Sequence, residues 1–154
     1  MRLSAWRILK TRYQDQPLSG EGARRVGGRW NHRGVPLVYL AESIALATLD
    51  VLVHLQDAET LSKYVLAEVR FDSTWVQEVR PENLPNDWNV FQHPLSTKVL
   101  GQQWIDARSS VLLKVPSSVS PHEANYLLNP EHPDASRIEV IRILDHAFDP
   151  RLFM

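Results

Sequence analysis

Apolar and polar positions along this chain change period several times, and each change marks an element. Residues 6–9, from Trp6 to Leu9, read as a short strand that runs into polar, turn-prone sequence at 11–19. Residues 35–40 form an apolar run of strand length with β-branched and aromatic members, which fits a buried strand. From Ser43 to 54 or 55 there is no Gly or Pro and apolar content is high, so the spacing predicts a buried core helix with Ser43 as its N-cap. Residues 64–71 alternate, with Val65, Ala67, Val69 and Phe71 on one side and Glu68 and Arg70 on the other. This predicts a half-exposed antiparallel strand, with 74–79 as its candidate partner. Residues 81–94 read as a loop rich in Pro, Asn and Asp, anchored by Trp88. Ser96 opens a helix to about Arg108, which Gly101 weakens slightly. The runs 111–115 and 138–144 are of strand length, and Asn125, Asn129, Pro130 and His132 fall in a loop between them. Strands and helices mix without regular βαβ alternation, so the class is α+β.

Composition narrows the function classes. The 154 residues suit a single domain, 1–154, and 44% apolar with 23% charged residues is an ordinary globular profile. Seventeen basic and eighteen acidic side chains leave a net charge of −1, so no global field draws the chain to nucleic acid. Cysteine is absent, which excludes disulfides, thiolate nucleophiles and cysteine zinc sites. No apolar run is long enough to span a bilayer and the N-terminus lacks a signal-peptide core, so the expectation is a cytoplasmic protein with no membrane role.

Candidate chemistry centres on residues 20–34. All glycines except Gly101 lie here, together with Arg24, Arg25, Arg29 and Arg33. Glycine lets a ligand approach the main chain, and arginine offers a planar fork for phosphate or carboxylate. The stretch therefore reads as an anion cradle or, equally on composition, as a solvated loop. On the predicted helix, Ser43, Asp50 and His54 fall at spacings of seven and four, along one face. A carboxylate on an apolar helix needs a partner, and Arg29 or Arg7 is the natural one; His54 reads as a satisfied core histidine. Gly-Glu-Gly-Ala-Arg-Arg lacks the third glycine of a dinucleotide fingerprint, and the histidines are too scattered for a metal set, so no metal is expected. Ser117 and Ser118 lack nucleophile-elbow glycines, which argues against a serine hydrolase.

Several of these stretches, taken in order, resemble a known family. They are Trp6-Arg7-Ile8, residues 20–31 ending in Gly27-Gly28-Arg29-Trp30-Asn31, Val38-Tyr39-Leu40-Ala41-Glu42-Ser43, Val51-Leu52-Val53-His54, Val115-Pro116-Ser117, and Asn125-Tyr126-Leu127-Leu128-Asn129-Pro130. Over nearly the full chain the sequence resembles the RES-domain toxins of bacterial toxin-antitoxin pairs. The resemblance implies an ADP-ribosyltransferase-like fold of mainly antiparallel sheets and an enzyme that consumes NAD as substrate, with no separate cofactor. It implies cleavage of the nicotinamide-ribose bond by hydrolysis or phosphorolysis, or ADP-ribose transfer; a degenerate site acting only as a binding module is the remaining alternative. It also implies a hetero-oligomer with an Xre-like antitoxin, through which alone DNA would be reached. By position, the family's arginine falls on Arg29, its tyrosine on Tyr39, its serine on Ser117 and a strand arginine on Arg7. Asp50 stands where the family usually carries glutamate, one methylene shorter, with Glu42 as a nearby substitute. Gly28, Trp30, Asn31 and Ser43 complete the implied substrate-binding set.

Overall fold

A computed structural model describes residues 1–55 and 63–153. The nine-residue strand β1 (Arg2–Lys10) pairs along its whole length, antiparallel, with β3 (Tyr64–Asp72), from Arg2↔Asp72 to Lys10↔Tyr64. On its other side β1 meets β2 (Val38–Ala41) in the single registered pair Trp6↔Ala41. The remaining strands are β4 (Val76–Glu78), β5 (Leu112–Pro116), β6 (Ala124–Leu128) and β7 (Glu139–His146). They complete one seven-stranded sheet of order β4-β5-β6-β2-β1-β3-β7, antiparallel except between β4 and β5. The class is α+β, as the mixed pattern implied.

Three local expectations are corrected. First, β3 is not half-exposed: β1 and β7 flank it and all but two of its residues are buried. Its polar alternation is explained by Glu68, whose carboxylate accepts from Ser4 Oγ at 2.9 Å, Arg142 Nε at 2.8 Å and Arg70 Nη2 at 3.4 Å. The Ser4 hydrogen bond and then Arg142 hold this carboxyl below the usual range, so a charge that read as solvent-facing is instead satisfied inside. Second, 74–79 does not pair with β3; β4 lies at the far edge, parallel to β5. Third, Asn125 belongs to β6, between β2 and β5, and not to a loop.

The sheet faces are covered unequally. One buries Ala5, Val38, Leu40, Val69, Phe71, Leu112 and Leu128. On the other, helix α2 (Ile44–Leu52) rests on Ile8, Ala41, Tyr64 and Leu66, and helix α3 (Leu95–Ala107) packs Trp104 against Leu113, Val115 and Leu127. Ser43 caps α2 as expected, its Oγ accepting from Leu46 N at 3.0 Å. The helix is less buried than its composition suggested. Leu46 and Ala47 face the sheet, whereas Ile44, Leu49 and Val53 are exposed, because only one side of the helix has a layer to lie on.

Gly101 also departs from expectation. A Cβ there would stand 1.8 Å from the carbonyl oxygen of Trp30, so the glycine does not merely weaken α3; it lets the Gly28–Asn31 segment cross the helix backbone to backbone.

Candidate functional site

The glycine- and arginine-rich stretch is more ordered than a loop. It contains the short helix α1 (Glu21–Val26) between Gly20 and Gly27, both at positive φ. Arg24 pairs with Glu21 at 2.9 Å, and Arg33 Nε donates to Arg25 O at 3.1 Å. These two arginines are therefore spent locally, Arg25 is exposed beside Tyr13, and the cradle reduces to Arg29 and its turn.

That turn is closed by Gly28 N donating to Asn31 O at 3.1 Å. Asn31 is fully buried and acts as its staple: Nδ2 donates to Ala23 O, Val35 O and His32 O, and Oδ1 accepts from the Tyr39 hydroxyl at 2.6 Å. The same hydroxyl accepts from Trp30 N at 3.0 Å. With both capacities used and burial pushing its pKa up, the Tyr39 hydroxyl stays protonated and holds the turn. Gly28 is required by this contact, since a Cβ would come within 2.5 Å of the Tyr39 oxygen.

Arg29 projects from the turn toward the 81–94 loop, where Nη1 donates to Trp88 O and Val90 O, each at 2.9 Å. Trp88 is half-buried against the α3 cluster, as the anchor reading required. From α3, Lys98 Nζ donates to Gly28 O and, at 3.1 Å, to Asn31 O, while Thr97 Oγ1 donates to Arg29 O. Burial and then Arg29 lower the Lys98 pKa. His93, lowered by burial and by the charges of Arg29, Lys98 and His54, meets His54 edge to face at 6.1 Å between ring centres. His54 is thus exposed at the end of α2 and faces the turn, not the core.

Asp50 lies in the last turn of α2, which stops at Leu52 and not at 54 or 55, so His54 stands in the turn beyond it; the partner of Asp50 is neither arginine. Its Oδ2 accepts from Asn125 Nδ2 at 2.9 Å, and the same amide donates to Leu40 O at 3.1 Å. Among the described residues Asp50 makes no ion pair. Burial pushes its pKa up, opposed by the Asn125 hydrogen bond and the nearby His54 charge and reinforced by Glu123. Arg7, the other expected partner, shares a sheet face with Ala67, opposite to Trp6 and Ile8 on which α2 rests. Its Nη1 reaches Tyr39 O at 3.4 Å and its buried Nε has no hydrogen-bond partner among the described residues.

The sequence-predicted serines and Glu42 stand around the start of β6. Ser43 Oγ donates to Glu123 Oε1 at 3.0 Å, Ser120 Oγ to Glu123 Oε2 at 2.9 Å, and Glu42 Oε1 accepts from Ala124 N at 2.7 Å. Ser117 is fully buried, its Oγ accepting from Val119 N and Ser120 N in a turn. The structure therefore gathers Gly28, Arg29, Trp30, Asn31 and Tyr39 into one unit. His54 and His93 link that unit to Asp50, Arg7 faces the other side of the sheet, and Ser117 lies buried in the turn that leads toward β6. Asn125, Lys98 and Thr97 were missed. Asn125 read as part of a loop, and nothing in the sequence distinguished Lys98 from a solvated helix lysine. Two clefts lie elsewhere, one of about 370 Å³ beside Gly34, Gln102 and Arg108, the other beside Pro17 and Pro130, and neither includes Arg29 or Asp50. Among the described residues no group of His, Asp or Glu is arranged to hold a metal ion, and no helix is long and apolar enough to cross a membrane.

Comparison with known proteins gives a consistent set of relatives. A family profile described as RES domain matches residues 4–149. A protein of Yersinia enterocolitica called Toxin Res is 39% identical over 148 residues, covering 96% of this chain and 97% of that protein. A Sphingobium protein called Prs ADP-ribosylating toxin is 40% identical over 157 aligned positions, 99% and 98% of the two chains. The fold matches a chain in a crystal structure of the M. tuberculosis MbcT-MbcA toxin-antitoxin complex with a TM-score of 0.79, at 21% identity, over 96% of this chain and 85% of that one.

Proposed function

The chain belongs to the RES domain family, and from that premise we propose that it is the toxin of a toxin-antitoxin pair and depletes NAD by cleaving the nicotinamide-ribose bond. The observation that carries the reading is the pairing of one helix carboxylate, Asp50, with an arginine turn free of carboxylates on the same side of the sheet. Nicotinamide in NAD is already cationic. Its bond to ribose C1′ breaks with the electron pair leaving on the pyridine nitrogen, so no general acid is needed, and the barrier lies in the oxocarbenium-like ribose. A carboxylate beside that ribose stabilises the cation as it develops. Asp50 supplies it, and Asn125 fixes its direction by a hydrogen bond whose other arm is anchored on Leu40 O. Arg29 binds the pyrophosphate, because its Nη1 is committed to the Trp88 and Val90 carbonyls while Nε and Nη2 donate to no protein acceptor among the described residues. Arg7 faces the opposite side of the sheet and is not assigned to this anion; its Nη1 donates to Tyr39 O on β2. Tyr39, Trp30, Asn31 and Gly28 hold the turn that presents Arg29, and Ser43 and Ser117 shape the β6 side of the site.

The broken bond at C1′ is completed by an oxygen from water or inorganic phosphate. A second reading, transfer of ADP-ribose to a macromolecule, is favoured by the name of the Sphingobium relative, an ADP-ribosylating toxin. One experiment separates them: incubate the isolated chain with NAD labelled in the adenosine half and follow nicotinamide and label together. Nicotinamide release with label in free ADP-ribose or its 1″-phosphate supports depletion. Label on protein or nucleic acid supports transfer, and intact NAD would leave only a binding role. We further propose that the cognate antitoxin is Xre-like, forms a hetero-oligomer with this chain, and supplies its only contact with DNA.

Arg29→Lys is expected to weaken NAD binding by roughly tenfold to a hundredfold, the scale of one or two charge-assisted hydrogen bonds. A lysine reaching the same carbonyls cannot hold both and still present a fork to the substrate. Calorimetric titration with NAD checks this, and unchanged affinity would make Arg29 a loop clamp only.

A further inference from the structure

Arg29 is not the only cation on the turn. Lys98 enters from α3 and places Nζ against the carbonyl oxygens of Gly28 and Asn31, the two ends of the closed turn. Lys98 thus holds the carbonyls on either side of Arg29, and Thr97, its neighbour on α3, holds the Arg29 carbonyl itself, so both cations belong to one turn. Every acceptor given to them is a backbone carbonyl: Gly28 and Asn31 for Lys98, Trp88 and Val90 for Arg29. No carboxylate pairs with either among the described residues. By contrast, the buried Glu68 is neutralised directly, by Arg142 and Arg70. At the turn, two half-buried positive groups, drawn from segments far apart in sequence, are held among the described residues by carbonyl dipoles.

We propose that Lys98 is a substrate-binding residue that, with Arg29, seats a phosphoryl oxyanion at the Gly28–Asn31 turn. Two of the three ammonium N–H groups are accounted for by the turn carbonyls, which leaves one for the ligand. A phosphoryl group there supplies the missing negative charge to both cations and accepts a charge-assisted hydrogen bond from each. The compact ammonium complements the arginine fork, one giving a point charge and the other a planar contact. This rests on the NAD-cleaving reading above and deepens it by assigning a residue to the phosphoryl-binding part of the site. The same chemistry serves the pyrophosphate of the dinucleotide and free inorganic phosphate acting as acceptor.

The test uses Lys98→Gln, which keeps a donor for the turn carbonyls and removes the charge, and Lys98→Arg, which keeps the charge. Inorganic pyrophosphate is titrated calorimetrically into each protein, and KM for NAD and the dependence of the rate on inorganic phosphate are measured beside thermal melts. Expected is a pyrophosphate affinity reduced by roughly tenfold or more in K98Q, the scale of one charged hydrogen bond, with most of it kept in K98R and the melting temperatures unchanged. A raised KM for NAD then assigns the seat to the dinucleotide, and a lost response to phosphate assigns it to the acceptor. Pyrophosphate binding by K98Q equal to wild type overturns the proposal. So does a lower melting temperature in both variants with affinity falling only in proportion to folded protein, which makes Lys98 a staple of the turn. The pyrophosphate titration requires no turnover, so it stands even where NAD is not consumed.

Discussion

Asp50→Asn is expected to cut turnover by roughly two to three orders of magnitude, the scale of one electrostatic stabiliser, while leaving the protein at least as stable to heat as the parent. The two halves of this result have separate causes. The rate falls because the amide cannot offer negative charge to the developing ribose cation. Substrate and transition state differ in charge at that atom, so the loss shows in kcat and much less in KM. Stability holds because Asp50 has no arginine partner to strand: an asparagine oxygen still accepts from Asn125 Nδ2, and the cost of burying a charge is gone. The sign follows from linkage. A carboxyl whose folded pKa is raised binds more protons in the native state, so it removes stability as pH rises from the unfolded pKa through the folded one; the asparagine variant escapes that loss at neutral pH. For the same reason the acid limb of the wild-type kcat profile should lie above the ordinary aspartate range. Asp50→Glu, which restores the family's usual length, is expected to keep or raise turnover. Steady-state kinetics and thermal melts on both variants check the set. A fully active Asp50→Asn protein removes Asp50 from the mechanism and moves attention to Glu42, whose Oε1 accepts from Ala124 N.

Gly101→Ala should be the most damaging single methyl group in the chain. Alanine normally favours a helix over glycine by about 1 kcal/mol. Here the added Cβ would stand 1.8 Å from Trp30 O, with backbone on both sides of the contact, so no side chain can swing away. Relief requires α3 to separate from the Gly28–Asn31 turn, which breaks the Lys98 and Thr97 bonds that hold it. Overpacking of this kind costs about 1–3 kcal/mol, which at this size lowers the melting temperature by roughly 2–12 °C. NAD cleavage should fall further than the folded fraction does, because the turn presenting Arg29 moves with the strain. A variant with normal stability and activity would show that helix and turn part cheaply.

The α+β class and the Ser43 cap were legible because each depends on local chemistry: a period and a capping side chain. Strand β3 was misread as half-exposed because a satisfied buried Glu68 has the same pattern as a solvated one, and its partners Ser4 and Arg142 come from strands that only the fold brings near. The expected arginine for Asp50 failed for a related reason. Need for a partner is visible in sequence, but Asn125 supplies it from a segment that read as loop. Gly101 is the converse case: a small residue in a helix looks like a weakness until the chain that crosses it is known.

The strand pairings impose an order in time. Asp50 and the Asn125 that holds it are 75 residues apart, and β2 finds β6, and β3 its second flank β7, only when those late segments exist. At ~5–20 residues per second of synthesis, roughly 4–15 s separate the appearance of the acid from the appearance of the amide that aims it. Pairings this distant also belong to topologies that close slowly once complete. A growing chain thus carries its carboxylate for seconds as a harmless side chain, and a neighbour translated nearby has that interval in which to meet it before it can act.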